Sequence, residues 1–526
     1  LYAKQIMNYD LGRSGGSLPE MWDFGHILWR FTGYGLFHLA RPIWAMFEDP
    51  ATYQAYFLPL LVMSWIATAV ALYATLRLIE RFDSSLTTAL IAAVVYLSIN
   101  AVLNYLQAGS SYSVGLAFLT LAILEMHVPS GSPAGSARPL LAGILLALSA
   151  GFWFPYVVVF PAILLTPVLL PADGRAEGWK TAIRCAIYTS VFAVALYLIP
   201  IIQMRLFSIH QILEWIRSAS HGWSQNKRYI RFVFGFPASF FYQANEGILF
   251  KRYLLHDPYA PVTLADLFRA SLAKMALFFG FLGLLLLAIF RRPERNVLWW
   301  MVFALVSDIA FAIFIFEPSS IERYLGLLPF LFVAVVVACR GTWMRWATLA
   351  FAFLLVVNNV GAHWRPSALE DYDHAQARAQ SVASRLTPND LVFVVTQEDE
   401  IDSLSTGYVF HPLNRNASLH TTPMVSIAIK NIIVWRENFG RLTKLVWDRN
   451  GNVWLSKRLF AERPKPEWRW AEGDDAHIKW TDMPSFFKQF DLGDSVGGED
   501  GFVLFPKTDK NVQLIESLAA NWRKVD

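Results

Sequence analysis

The chain has 526 residues, of which 55% are hydrophobic and only 16% charged. Soluble domains average about 45–50% apolar and about 25% charged residues, so a freely soluble globular protein is excluded as a description of the whole. The net charge of +4 comes with no basic stripe interleaved with stacking aromatics, which excludes a nucleic-acid partner, and two cysteines, both in apolar segments, exclude a disulfide framework or a cysteine zinc site.

The apolar excess is concentrated. Residues 1–53 are mixed, 54–363 are strongly apolar, and 364–526 have the composition of a soluble domain. About 20 apolar residues in a helix span a hydrocarbon core of about 30 Å. On that measure ten spans are expected, near 54–76, 85–104, 112–128, 139–152, 156–171, 183–202, 270–290, 296–315, 324–340 and 346–363. The pair 139–152 and 156–171 is interrupted at Gly151-Phe152-Trp153-Phe154-Pro155 and reads as a tight hairpin. A long loop, 203–269, separates the sixth and seventh spans.

Loop charge gives this arrangement a direction. Loops 77–83, 127–138, 172–184, 291–295 and 340–345 fall on one side and hold eleven Lys or Arg, from Arg77 and Arg81 to Arg340 and Arg345. The short loops of the other side, 105–111, 152–156 and 316–323, hold only Arg323. The positive-inside rule places the first set in the cytoplasm. Residues 1–53, the loop 203–269 and the C-terminal domain are then external, in the periplasm or outside an inner (plasma) membrane. An external N-terminal segment implies a further span before Leu1, eleven in all.

Three external pieces carry polar groups at the membrane edge. In the first, Glu20, Asp23 and His26 recur at i, i+3 and i+6 between Trp22 and Trp29. A carboxylate beside a histidine at a membrane surface suits a general base, and an interfacial helix with a solvated polar face suits the same spacing. The second is 203–269, where Arg228, Arg231 and other basic residues alternate with aromatics such as Trp215, Phe232 and Phe240. That mixture fits lipid headgroups, a phosphorylated lipid, or plain interfacial anchoring. His256-Asp257 before Pro258 has the chemistry of a turn. The third is Glu317 to Tyr324, where Arg323 either snorkels, is neutralised by Glu317 and Glu322, or offers a planar fork to a phosphate. Within the spans, Asn100, Asn104, Gln107 and Asp308 are costly in lipid and should face protein or a cavity. Asn104 and Gln107 lie at the external end of their span.

Together these features resemble the GT-C superfamily of membrane glycosyltransferases, which includes protein O-mannosyltransferases and lipid A aminoarabinose transferases. Trp22-Asp23-Phe24-Gly25 resembles the Trp-Asp-x-Gly of one subgroup of protein O-mannosyltransferases. Arg138-Pro139-Leu140-Leu141-Ala142-Gly143 through Pro161 resembles the paired mid-chain spans. Glu322-Arg323-Tyr324-Leu325-Gly326-Leu327-Leu328-Pro329 is similar to the Arg-Tyr-Leu-Leu-Pro start of a late span. Where many members carry a second acidic residue, this chain has Gln107, Gly109, Ser110 and Ser111.

The resemblance implies a polytopic α-helical, GT-C-like membrane protein with a C-terminal external α/β domain. It implies inverting transfer of a sugar from a polyprenyl-phosphate donor to a hydroxyl of a protein, lipid or glycan acceptor. Asp23 would be the base, and Arg323, Tyr324, Arg228 and Arg231 would hold the donor phosphate. Glu20, His26, Asn104, Gln107 and His256 would line the cavity. No cofactor is required, and a divalent metal stays open. The alternatives are a transporter or flippase of a lipid-linked sugar, a glycan ligase or polymerase, and a scaffold whose soluble domain carries the function. In that domain a helix is expected at 367–386 and strands at 391–395, 431–435 and 502–505. Asp371-Tyr372-Asp373 and Asn416-Ala417-Ser418 match short motifs by chance or without assignable meaning.

Overall fold

A computed structural model describes residues 2–12, 17–46, 53–127, 138–171, 175–218, 228–243, 250, 253, 262–291, 294–315, 318–340, 342–367, 389–395, 424–427, 432–460, 482–496 and 502–520. The chain divides into two units: Leu1–Leu249 with Thr263–Trp364, and Phe250–Val262 with Arg365–Asp526. The expected helix 367–386, His256, Glu317, Asp371-Tyr372-Asp373 and Asn416 lie outside the described residues, except that Ser367 ends a long helix.

The first unit is helical. It opens with α1 (Tyr2–Asp10), the single turn α2 (Leu18–Met21) and α3 (Trp29–Trp44). The expected spans follow as α4 (Tyr53–Glu80), α5 (Leu86–Ser98), α6 (Asn100–Gln107), α7 (Tyr112–Met126), α8 (Pro139–Phe152) and the irregular α9 (Phe154–Leu169). After α10 (Arg175–Gln203), α11 (Ile209–Ser218) and α12 (Arg228–Phe240) come α13 (Leu264–Phe290), α14 (Arg295–Phe314), α15 (Ile321–Ala338) and α16 (Thr342–Ser367). Six of these helices are long and apolar enough to cross a membrane, α5 and α6 together make a seventh bent by 62°, and α7, α8 and α9 are shorter apolar segments.

The breaks have physical causes. Inside a bilayer, freed backbone groups need a protein partner. At the α5–α6 bend Asn359 Nδ2 donates to Ser98 O at 2.7 Å, and Asn100 Nδ2 donates to Ala238 O at 2.7 Å. In α9, Pro155, Pro161 and Pro167 each remove a helical donor. The segment turns back at Trp153 and packs on α14, where Trp300 Nε1 donates to Ala162 O at 3.0 Å. The break expected at 151–155 is present, with α8 ending at Phe152 and the irregular α9 beginning at Phe154.

One expectation changes. Residues 203–269 are not simply a loop: α12 belongs to the core of the unit. Phe236 is fully buried and Phe240 nearly so, and Phe236 lies 4.8 Å from the Tyr324 ring. Gly235 lies so close to the 318–319 backbone that a Cβ there would stand 2.1 Å from Pro318 O.

The second unit carries a five-stranded sheet of β1 (Leu391–Val395), β2 (Met424–Ile427), β3 (Val453–Ser456), β4 (Ser495–Val496) and β5 (Phe502–Phe505), in the order β2-β1-β3-β5-β4. β1 is parallel to β2 and β3, and β5 is antiparallel to β3 and β4. α17 (Ile432–Asp448), α18 (Asp482–Phe487) and α19 (Asp509–Ala520) complete it. Phe393, Phe439, Phe487, Phe505 and Ile515 form its core. The strand expected at 431–435 is instead the start of α17. Its β-branched run reads as strand locally, but Phe439, Val446 and Trp447 recur at helical spacing and bury.

Candidate functional site

The two sets of loops separated by charge each converge. On the arginine-rich side, Arg81 donates to Leu124 O at 2.7 Å and to His127 O, and Arg340 pairs with Glu294 at 2.7 Å and donates to Phe82 O at 2.6 Å. At the other ends of the same helices, residues 20–30, 105–112, 152–153, 203 and 322 meet around Asp23.

Asp23 caps a single 3₁₀ turn, Phe24–His26. Its Oδ1 accepts from Gly25 N at 3.0 Å, and its Oδ2 pairs with Arg30 at 2.9 Å. The pair is buried, with side chains 5% and 4% exposed. Arg30 also donates to Glu20 O and lies 5.6 Å from the Tyr2 ring centroid. Arginine two turns after the aspartate thus closes the ion pair locally, and the Trp22 and Trp29 rings cover the segment. Trp22 Nε1 donates to Gln203 Oε1 at 3.0 Å, and Trp215 Nε1 donates to Trp22 O at 2.7 Å, which tie the segment to α10 and α11.

His26, 2% exposed, adjoins this pair. Its Nδ1 lies 3.0 Å from Phe152 O and 2.6 Å from Ser111 Oγ, and its Nε2 lies 2.8 Å from the Tyr2 hydroxyl. A carbonyl only accepts, so Nδ1 carries a proton, and the ring spans Phe152 O and the Tyr2 hydroxyl. The imidazole stacks on Trp153 at 4.7 Å. Burial first, and then the negative charge of Asp23, push the Tyr2 hydroxyl above its ordinary pKa. Beyond Tyr112, whose ring lies 4.5 Å from that of Tyr105, Tyr105 donates to Glu322 Oε2 at 2.6 Å. The result is a polar cluster of one buried ion pair, one buried imidazole, three half-buried tyrosines and a half-buried carboxylate.

The other expected residues distribute as follows. Glu20 is exposed and completes a capping box with Ser17, its Oε2 accepting from Ser17 N at 2.8 Å. Asn104 bonds back to Asn100 at 3.1 Å, and Gln107 is exposed. Arg323 is 2% exposed, its guanidinium 5.1 Å from the Phe311 ring centroid on α14, and its charge acts on the buried Asp308. Tyr324 is fully buried and donates to Pro318 O at 2.7 Å. Arg231 is exposed, and the Arg228 backbone begins α12. Asp23 and His26 are thus brought together, while Glu20, Asn104 and Gln107 have local roles of their own.

Sequence inspection missed Arg30, Tyr2, Ser111, Tyr112 and Trp153. Arg30 was legible as the i+7 partner of Asp23, but the others come from elements distant in sequence. Among the described residues no group of three His, Cys, Asp or Glu side chains is placed to hold a metal ion.

No protein-family profile matches the chain, and no curated protein matches its sequence. Solved structures do. The chain is similar to the Archaeoglobus fulgidus oligosaccharyltransferase, at 13% identity and a TM-score of 0.44, over 90% of this chain and 63% of that one. It is similar to ArnT from Cupriavidus metallidurans, at 11% identity and a TM-score of 0.47, over 98% and 93%. It is also similar to the archaeal oligosaccharyltransferase AglB in complex with an inhibitory peptide and a dolichol-phosphate, at 12% identity and a TM-score of 0.44, over 97% and 70%. The chemistry of the chain rests on its own residues, because likenesses this remote carry no argument about it, and it spans less than two thirds of the first of these proteins.

Proposed function

We propose that the chain is a glycosyltransferase that moves a sugar from a polyprenyl-phosphate donor to an acceptor hydroxyl on the external face of a cell membrane, with its second unit on that face. The observation that carries this reading is the buried Asp23 carboxylate at the junction of the arginine-poor helix ends, set among Arg30, His26 and the tyrosines.

In the proposed step the acceptor hydroxyl gives its proton to Asp23. Its oxygen attacks the anomeric carbon, and the bond to the donor phosphate breaks with the electron pair leaving on phosphate. Arg30, 2.9 Å from Oδ2, fixes the direction of the carboxylate, and His26 holds Tyr2 and the Phe152 turn in place.

The donor phosphate is assigned to Arg323, Tyr324, Arg228 and Arg231. Arg231 is exposed and open to an approaching anion. Arg323 and Tyr324 lie under α12, whose Phe232 and Phe236 rings face Tyr324, so an anion reaches them only if α12 shifts.

The test is incubation of the purified chain with polyprenyl-phosphate sugars in detergent and in liposomes. Sugar transfer or donor hydrolysis is the expected result. Vectorial movement of the intact donor across liposomes without chemistry would replace this reading with a transporter.

A further inference from the structure

We propose that a groove between α5, α13, α15 and α16, on the arginine-rich side, is a binding site for an anionic phospholipid, with an acyl chain along the groove and the phosphate at Arg345. The groove holds a cavity of about 140 Å³, open along its side, and is lined almost wholly by apolar side chains, Ala92, Phe281, Val335 and Ala352 among them. Its polar lining is confined to one end, where Thr87, Thr88, Thr348 and Arg345 stand. From Thr87 to Ile99 along α5 the groove runs about 18 Å at 1.5 Å per residue. That is slightly more than one leaflet of a hydrocarbon core of about 30 Å, the reach of one acyl chain.

The two ends are chemically different, and this sets the orientation. At the inner end, Ile99 and Phe240 close the groove. The backbone carbonyls there, Ser98 O and Phe240 O, already accept from Asn359 Nδ2 at 2.7 and 2.5 Å. At the mouth, Arg340 is committed to Glu294 and Phe82 O. Asp83 is the acid facing the mouth, and its oxygens are taken by Ser85 N at 2.9 Å and Thr88 Oγ1 at 2.7 Å. Arg345 is exposed, and its charge, like that of Arg340, acts on Asp83, without a hydrogen bond or ion pair among the described residues.

Trp343 and Trp346 flank it, 48% and 72% exposed, as aromatic side chains do at the headgroup level. The loops of this side hold eleven Lys or Arg against five Asp or Glu, a field that favours an anionic headgroup. The tail of the sugar donor is the wrong occupant, because its phosphate belongs near Asp23. That site adjoins Tyr105, eighteen residues and about 27 Å of helix beyond Thr87. This choice of occupant rests on the proposed transfer reaction, and the lipid titration reads it without any transfer step.

The purified full chain in detergent is titrated with phosphatidylglycerol and with phosphatidylcholine of the same acyl chains, and retained lipid is counted by native mass spectrometry. The expected result is one retained phosphatidylglycerol, preferred over phosphatidylcholine by about fivefold, the effect of one interfacial arginine. Arg345→Gln brings the two lipids to parity. Because Arg345 is exposed, this variant keeps its fold and is the decisive comparison. Ala352→Trp, which fills the groove, removes both lipids. Three results overturn the proposal: no retained lipid, equal retention of both lipids by the unsubstituted chain, or a preference that persists in Arg345→Gln. Displacement of the lipid by a polyprenyl phosphate, sensitive to Ala352→Trp, also overturns it and assigns the groove to the donor tail.

Discussion

Asp23 has two jobs in the proposed reaction, and they separate in different variants. As a base it contributes about 10²–10⁴-fold. As the partner of a buried guanidinium it holds the fold, because removing one member of a buried ion pair costs about 3–5 kcal/mol. Asp23→Asn is therefore expected to lower transfer at least about a hundredfold per folded molecule and also to lower the melting temperature. Replacing both partners, Asp23→Asn with Arg30→Met, removes the uncompensated charge. It should recover much of the stability and none of the activity. Thermal unfolding in detergent, run beside the transfer assay, separates the two effects; normal turnover in the single variant would remove Asp23 from the mechanism. In the sequence, Asp23 and His26 stand out by spacing alone. Their partners do not, because Tyr2, Ser111 and Phe152 reach them from elements up to 126 residues away.

Elements show where local pattern was enough and where it was not. Six helices and the bent pair α5–α6 were legible as long apolar runs, α7, α8 and α9 are shorter than the spans expected there, and β1 and β5 were legible because short β-branched and aromatic runs follow turn residues. α12 was not, since Phe232, Phe236 and Phe240 are spaced for one helix face yet lie among basic residues that also suit an interface. The close approach at Gly235 gives a test. Gly235→Ala puts a methyl 2.1 Å from Pro318 O, where only backbone can yield. The expected cost is about 1–3 kcal/mol, read as a lower melting temperature, and an unchanged value would mean that α12 does not rest on the 318–319 turn.

The N-terminus of α19 gives a second test. Lys510 Nζ and Thr508 Oγ1, each 2.9 Å away, hold the Asp491 carboxyl below its usual range. The folded value is depressed, so this contribution is complete above the unfolded pKa of about 3.9 and is lost as pH falls below it. The protection factors of the Phe502–Phe505 amides, corrected for intrinsic exchange, should fall below about pH 4, and Asp491→Asn should flatten that dependence. A dependence of the same size in the variant would place its origin elsewhere.

At the scale of the molecule, the loop charges gave a direction, and the fold supplies an internal check on it. Arg81, Arg340 and Glu294 gather at one set of helix ends, and Asp23, Ser111, Trp153 and Glu322 at the other. A wrong division of the spans would have mixed these sets. What that agreement leaves to experiment is which face carries the second unit, and cysteine labelling decides it. Cys185 is buried and Cys339 is half-buried in apolar surroundings, so both react slowly with a membrane-impermeant maleimide. Ser17, Ser84 and Ser495 are exposed. Ser17→Cys and Ser495→Cys should label from outside intact cells, and Ser84→Cys only after permeabilisation. If Ser495→Cys labels with Ser84→Cys, the second unit is cytoplasmic and has no access to an external acceptor. If all three label together, the charge rule fails for this chain, and with it the side assigned to the donor.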